Sequence, residues 1–272
     1  MMTEMPMTTP PPSGPLARLG QSPPLLALLG AVLLWAAWPV HPAPLTLLLF
    51  VGFVPYLRLE QVLTAQGAKR GRVFANTYCF LFLWNAFTTW WVSYSTLGGG
   101  IAAVVLNAAL MCLPLMAFRR TKERFGAAIG YLALPVYWIA FEQLHLTWDL
   151  SWPWLTLGNG FASATSWVQW YEYTGFLGGS AWVLAVNVLV FRALFRPVGA
   201  ASQLARRWGA AGLVVLLPIL LSYSIGYNLQ EKGSAAEVVV IQPNIDPYDA
   251  KFPGTPNFIP FNEQLTRLMA RT

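Results

Sequence analysis

The sequence predicts an all-α polytopic membrane bundle of about seven transmembrane helices, followed by the opening strand, loop and helix of an α/β domain. Three observations carry this prediction. Of the 272 residues, 56% are hydrophobic and only 10% are charged, whereas a soluble domain carries about 25% charged residues. Apolar runs approaching the ~20 residues needed to cross a bilayer recur along the chain up to residue 227. Basic residues collect in alternate connections between those runs, the pattern that fixes membrane orientation.

Residues 1–23, rich in Pro, Thr, Ser and Met, read as a flexible cytoplasmic tail. A signal peptide is the weaker reading, because no small-residue cleavage pattern follows Arg18. The helical domain is expected over 24–227, with spans at about 24–40, 43–57, 73–95, 100–118, 125–143, 178–195 and 209–227. Pro39-Val40-His41-Pro42 reads as a tight hairpin between the first two, which are short or tilted.

With the N-terminus cytoplasmic, one side receives Arg18, then Arg58, Lys69, Arg70 and Arg72, then Arg119, Arg120, Lys122 and Arg124, and last Arg192, Arg196, Arg206 and Arg207. The opposite connections, near 41, 96–99 and 144–177, contain no Lys or Arg. The net charge of +6 is therefore a topology signal, which excludes nucleic acid as the expected partner. Lys232, Lys251, Arg267 and Arg271 follow the seventh span and start on the outer side.

The outer connection 144–177 is rich in aromatics, with Ser151-Trp152-Pro153-Trp154 as a rigid turn and Leu157-Gly158-Asn159-Gly160 as a flexible one. A lid or re-entrant segment beside a cleft would use both, although an aromatic belt at the interface explains individual rings as well. Glu142, near the end of the fifth span, is a functional candidate by its depth, with Trp148, Trp152 and Trp154 as the aromatic wall of a substrate cleft. His145 stands without a second ligand or nucleophile. Scattered Asn and Thr within the spans, including Asn85, Asn107 and Asn187, fit interhelical hydrogen bonds. Cys79 and Cys112 sit in apolar runs without metal or redox spacing and read as small buried hydrophobes. No cofactor or metal is expected.

Composition shifts after residue 228. A polar linker leads to Val238-Val239-Val240-Ile241, an apolar run suited to a strand buried on both faces. Gln242 onward is turn chemistry. Phe261, Leu265, Leu268 and Met269 then recur at helical spacing. Strand, loop and amphipathic helix open an α/β domain, and one strand cannot complete it. Residues 228–272 are therefore expected to be a linker and the truncated start of a second domain.

Helical spans, an outer "PWLTLGNG" (Pro153–Gly160) and then "VVVIQPNIDPYDAKF" (Val238–Phe252) together resemble the bacterial apolipoprotein N-acyltransferases. In that family a membrane bundle carries a periplasmic nitrilase-like (CN hydrolase) domain, opened by a strand that Ile241-Gln242-Pro243-Asn244-Ile245 matches. Lys251-Phe252 matches a Lys-aromatic pair in its entry loop, and both join the candidate cleft.

The resemblance implies a multi-pass protein of the bacterial inner membrane. Its acyl donor would be a membrane phospholipid and its acceptor a diacylated apolipoprotein, acylated at the N-terminal diacylglyceryl-cysteine. The family works through a thioester on a catalytic Cys, helped by a Glu and a Lys that lie past the first nitrilase strand and helix. No position of this chain matches them, so no catalytic residue is assigned and residues 1–272 are expected to be inactive alone. Rival readings are another membrane-tethered nitrilase-like acyltransferase or amidase, and a transporter or lipid-binding scaffold. The repeated halves usual in transporters are not visible in the sequence.

Overall fold

The computed structural model describes residues 20–195, 201–228, 236–246 and 248–270. Most of the expected N-terminal tail, residues 1–19, and most of the linker, 229–235, lie outside the described residues. The chain divides into two compact units, Met1–Asn228 and Leu229–Thr272.

Among the described residues of the first unit, helices overlie each expected apolar segment. α1 spans Pro23–Ala36, and a 3₁₀ turn over Ala43–Leu48 leads into α2 (Leu49–Gly52) and α3 (Val54–Ala65). α4 (Arg70–Thr89) continues as 3₁₀ turns to Tyr94, and α5 spans Leu97–Thr147. Three short 3₁₀ turns lead to α6 (Tyr171–Phe195) and α7 (Ala201–Asn228). Among the described residues, four stretches are long and apolar enough to cross a membrane: Leu45–Ala65, Leu97–Thr147, Tyr171–Phe195 and Ala201–Asn228. α1, with 14 residues, rises only about 21 Å at 1.5 Å per residue, against an apolar core of about 30 Å.

α5 is two antiparallel arms. Gly126 adopts φ 88°, ψ 167°, a left-handed conformation that glycine tolerates and other residues resist. The chain folds back there. A Cβ on Gly130 would meet Lys122, Phe118 and Tyr131 rings lie 5.7 Å apart, and Thr121 Oγ1 lies 2.9 Å from the Tyr137 hydroxyl. Farther along, Asn107 on 97–125 meets His145 on 127–147. The residues that pair move apart in sequence together, as in a helical hairpin.

The bundle closes on aromatic side chains. Phe53 packs edge-on against Phe80, Trp84 and Trp138, and all four rings are buried. Phe53 also marks the break between α2 and α3, where backbone groups lose their helical partners. Lipid offers no substitute. Asn187 of α6 supplies one: its Oδ1 accepts from Phe53 N at 2.8 Å, and its Nδ2 donates to Leu49 O at 2.7 Å and Val183 O at 2.8 Å. Asn187→Leu keeps the volume and removes all three bonds. It is expected to cost about 1–3 kcal/mol, read as a drop of several degrees in Tm in detergent. Asn228→Leu, at an exposed helix end, should leave Tm unchanged.

A similar substitution holds α7. Pro218 lacks the N–H that would bond Val214 O, and Trp182 Nε1 of α6 donates to that carbonyl at 2.6 Å. Otherwise α7 is peripheral, with only Ala211 and Ser222 buried and leucines such as Leu217 and Leu220 facing outward.

One end of the bundle is basic. Glu60 on α3 is fully buried and forms an ion pair with Lys122 at the hairpin tip. Arg119 Nη1 lies 3.7 Å from Glu60, and Arg119 Nε lies 2.7 Å from Glu123. Arg119 also donates to Thr64 Oγ1 at 3.3 Å. Glu60 is the lone acid between residues 24 and 95, a signal that the positive-residue pattern overshadowed.

In the second unit the strand expected at Val238–Ile241 is not formed, and the described residues contain no strand at all. Val238, Val239 and Val240 are exposed. A strand requires a neighbour to pair its backbone, and the described residues supply none. The following turn is ordered by Asp246: its Oδ1 accepts from Tyr248 N at 2.7 Å, and its carbonyl accepts from Ala250 N and Lys251 N, both at 2.9 Å. α8 spans Phe261–Met269, where the spacing of apolar residues placed a helix.

Candidate functional site

The segment connecting α5 and α6 is tied to the bundle by backbone groups that side chains reach across sequence to satisfy. Glu142 on the second arm of α5 is buried, and its Oε1 accepts from Trp138 Nε1 and from Leu157 N, each at 2.8 Å. Gly158 N donates to Ser180 Oγ at 2.9 Å, and Gly158 O accepts from the Tyr171 hydroxyl at 2.9 Å. The turn lies so close to α6 that a Cβ on Gly158 would sit 1.8 Å from Phe176 O, and one on Gly179 would sit 3.0 Å from Gly158 Cα. Leu157–Phe161 is thus a packed 3₁₀ turn with Gly158 and Gly160 buried. This corrects the expectation of a flexible stretch: its glycines serve close approach rather than mobility.

A directed hydrogen-bond chain runs beneath this segment. Trp148 Nε1 donates to His145 Nδ1 at 2.9 Å. With Nδ1 accepting, the ring hydrogen belongs on Nε2, which faces Asn107 Oδ1 at 2.7 Å. Asn107 Nδ2 donates to Asn85 Oδ1 at 2.7 Å, and Asn85 Nδ2 donates to Leu81 O at 2.8 Å. The chain joins α4, both arms of α5 and Trp148. Asn85 and Asn107 were legible only as interhelical polar residues; their meeting with His145 depends on the reversal at Gly126.

Over the Asn107–His145 pair lies a groove of about 350 Å³, walled by Ala103, Leu106, Ala109, Leu110 and Leu113 of α5 and by Leu150, Ser151 and Trp152. It is apolar along its length and polar at one place. Next to it, Glu142, Trp152, Asn107 and His145 border a small recess of about 10 Å³, room for about one water-sized group. Glu142 Oε2 and Trp152 Nε1 are both buried without a hydrogen-bond partner among the described residues.

Of the residues expected in the cleft, Glu142, Trp148 and Trp152 therefore meet around the Asn107–His145 pair. Trp154 lies farther out, 50% exposed, with its ring 5.2 Å from Trp91 in an edge-on pair. Lys251 and Phe252 belong to the second unit. There Lys251 Nζ lies 5.4 Å from the Phe252 ring centroid, and Lys251 O accepts from Gln264 Nε2 at 3.0 Å. Cys112 is buried with its thiol on Ala108 O at 3.3 Å, and Cys79 is half-buried on α4. Among the described residues, no group of three or more His, Cys, Asp or Glu is placed to hold a metal.

Long apolar helices, side chains that satisfy backbone breaks, and a groove that opens among outward-facing apolar residues define a helical membrane protein. Residues 30–189 match the family model described as the apolipoprotein N-acyltransferase N-terminal domain, a range that spans Glu142, Trp148, Trp152 and Trp154. The chain is also similar to the apolipoprotein N-acyltransferase of Chlorobaculum tepidum, at 30% identity over 246 residues. That alignment covers 87% of this chain and 44% of that protein, so the chain spans less than half the length of the relative. No solved structure matches it. The chain belongs to the apolipoprotein N-acyltransferase family and corresponds to its N-terminal portion.

Proposed function

We propose that this chain is the membrane portion of an enzyme that moves an acyl chain from a phospholipid to the N-terminal diacylglyceryl-cysteine of a lipoprotein. The observation that carries the reading is the groove over Asn107 and His145. Its apolar walls suit an acyl chain, and its polar patch suits the ester or headgroup end. The helical unit lies in a bacterial inner membrane, with its four long apolar stretches as crossings and the shorter segments completing about seven passes, the N-terminus cytoplasmic and residues after about 228 periplasmic. This orientation follows the positive-inside rule.

Residues 236–270 begin a nitrilase-like domain, in which Lys251 and Phe252 form part of the entry loop. In the whole enzyme a thiolate of that domain attacks the phospholipid ester, forming a thioester and releasing a lysophospholipid. The α-amino group of the lipoprotein then attacks the thioester, forming the amide and returning the thiolate. Neither Cys79 nor Cys112 can serve, because both lie within membrane helices. The full chain of 272 residues, incubated with radiolabelled phospholipid, is accordingly expected to form no hydroxylamine-sensitive acyl-protein. A thioester on Cys79 or Cys112 would refute this assignment.

The groove is tested by filling it. In an acyltransferase carrying this segment, Ala109→Trp is expected to lower lipoprotein N-acylation at least tenfold. Leu217→Trp, on the outward face of α7, should leave it unchanged. Equal activities would remove the groove from the mechanism.

A further inference from the structure

The basic end of the bundle holds a second pocket, of about 410 Å³, between the first turns of α4 and the last turns of the 97–125 arm. Its cationic members differ in their engagement. Arg119 is buried and held by Glu60, Glu123 and Thr64. Arg70 and Arg120 are exposed and, among the described residues, neither forms an ion pair or hydrogen bond. Glu123 is the acid in the lining, and it already faces Arg119. The free charge of the pocket is therefore the two guanidinium groups at its mouth. The remaining walls include Val73, Phe74 and Met116, and Phe74 is 45% exposed on a helix in the membrane bundle.

Orientation in the bilayer requires basic residues but no cavity. Arg72 in the same turn of α4, and Arg124 near the hairpin tip, meet that requirement without lining the pocket. Two unpaired guanidinium groups beside an apolar wall suit a ligand with an anionic head and hydrocarbon behind it. Arginine forks match phosphate oxygens, and basic pockets between membrane helices receive anionic headgroups. We propose that this pocket binds the phosphodiester headgroup of a phosphatidylglycerol-class lipid, with its chains along Phe74 and Met116. The site is separate from the groove over Asn107: Asn107 and Arg119 lie about 18 Å apart along one helix.

The test is native mass spectrometry of the full chain, released from detergent after equilibration with phosphatidylglycerol and phosphatidylcholine of identical acyl chains. The wild-type protein is expected to retain one phosphatidylglycerol at least tenfold over phosphatidylcholine. R70A/R120A should lose that preference, and M116W should lose it without any change in charge. R72A/R124A removes the same charge from the same end and should keep it. Equal loss in R72A/R124A would show general electrostatic attraction and overturn the site. Equal retention of the two lipids would do the same. Complete displacement by millimolar inorganic phosphate would show a free-anion site and overturn the lipid assignment.

Discussion

Gly158→Ala is expected to destabilise the bundle by about 3 kcal/mol or more, seen as a fall in Tm of about 10 °C in detergent. An added methyl group would stand 1.8 Å from Phe176 O and 2.7 Å from Phe176 C. Both are backbone atoms, so no rotamer change relieves the clash. The turn can only move away from α6, and it carries three bonds with it: Leu157 N to Glu142, Gly158 N to Ser180, and Tyr171 to Gly158 O. The wall formed by Leu150, Ser151 and Trp152 should shift as well, so groove binding falls together with stability. Gly98→Ala is the control, because an added Cβ there meets nothing within 4 Å. An unchanged Tm for Gly158→Ala would show that the turn does not pack on α6 as described.

The second large effect lies at the opposite end. Glu60→Leu is expected to cost about 3–5 kcal/mol, the usual penalty for removing one partner of a buried ion pair. Lys122 is left mostly buried without its carboxylate, while Arg119 still faces Glu123. Adding Lys122→Met removes the stranded charge and is expected to restore most of the loss, since apolar replacement of a whole buried pair is often close to neutral. Thermal unfolding of both single variants and the double variant gives the coupling directly. If Glu60→Leu alone leaves Tm unchanged, the carboxylate does not hold the hairpin tip.

The broad layout was legible because it rests on local, additive signals. Apolar runs marked the helices, the clustered arginines marked one end, and the spacing of Phe261, Leu265 and Leu268 marked α8. Contacts between distant positions were not legible. Glu142 drew attention as a carboxylate at membrane depth, yet its partners are the Trp138 indole and the backbone of Leu157, fifteen positions away. Nothing local distinguishes such an anchor from a catalytic group. Gly158 and Gly160 looked flexible because glycine permits both mobility and close approach, and only the position of α6 decides between them. Glu60 needed Lys122, sixty-two positions distant, to give it meaning. The four β-formers at Val238–Ile241 state a preference that pairing must satisfy, so composition alone overstated them.

The groove over Asn107 and His145 is tested most directly by photolabelling. The full chain is reconstituted in vesicles containing a phospholipid with a diazirine midway along one acyl chain, irradiated, and mapped by peptide mass spectrometry. Labels are expected to concentrate on residues 103–113 and 150–152, and to disappear from both in Ala109→Trp. Labels spread evenly over the outward faces of all the helices, α7 included, and unchanged by Ala109→Trp, would contradict the account.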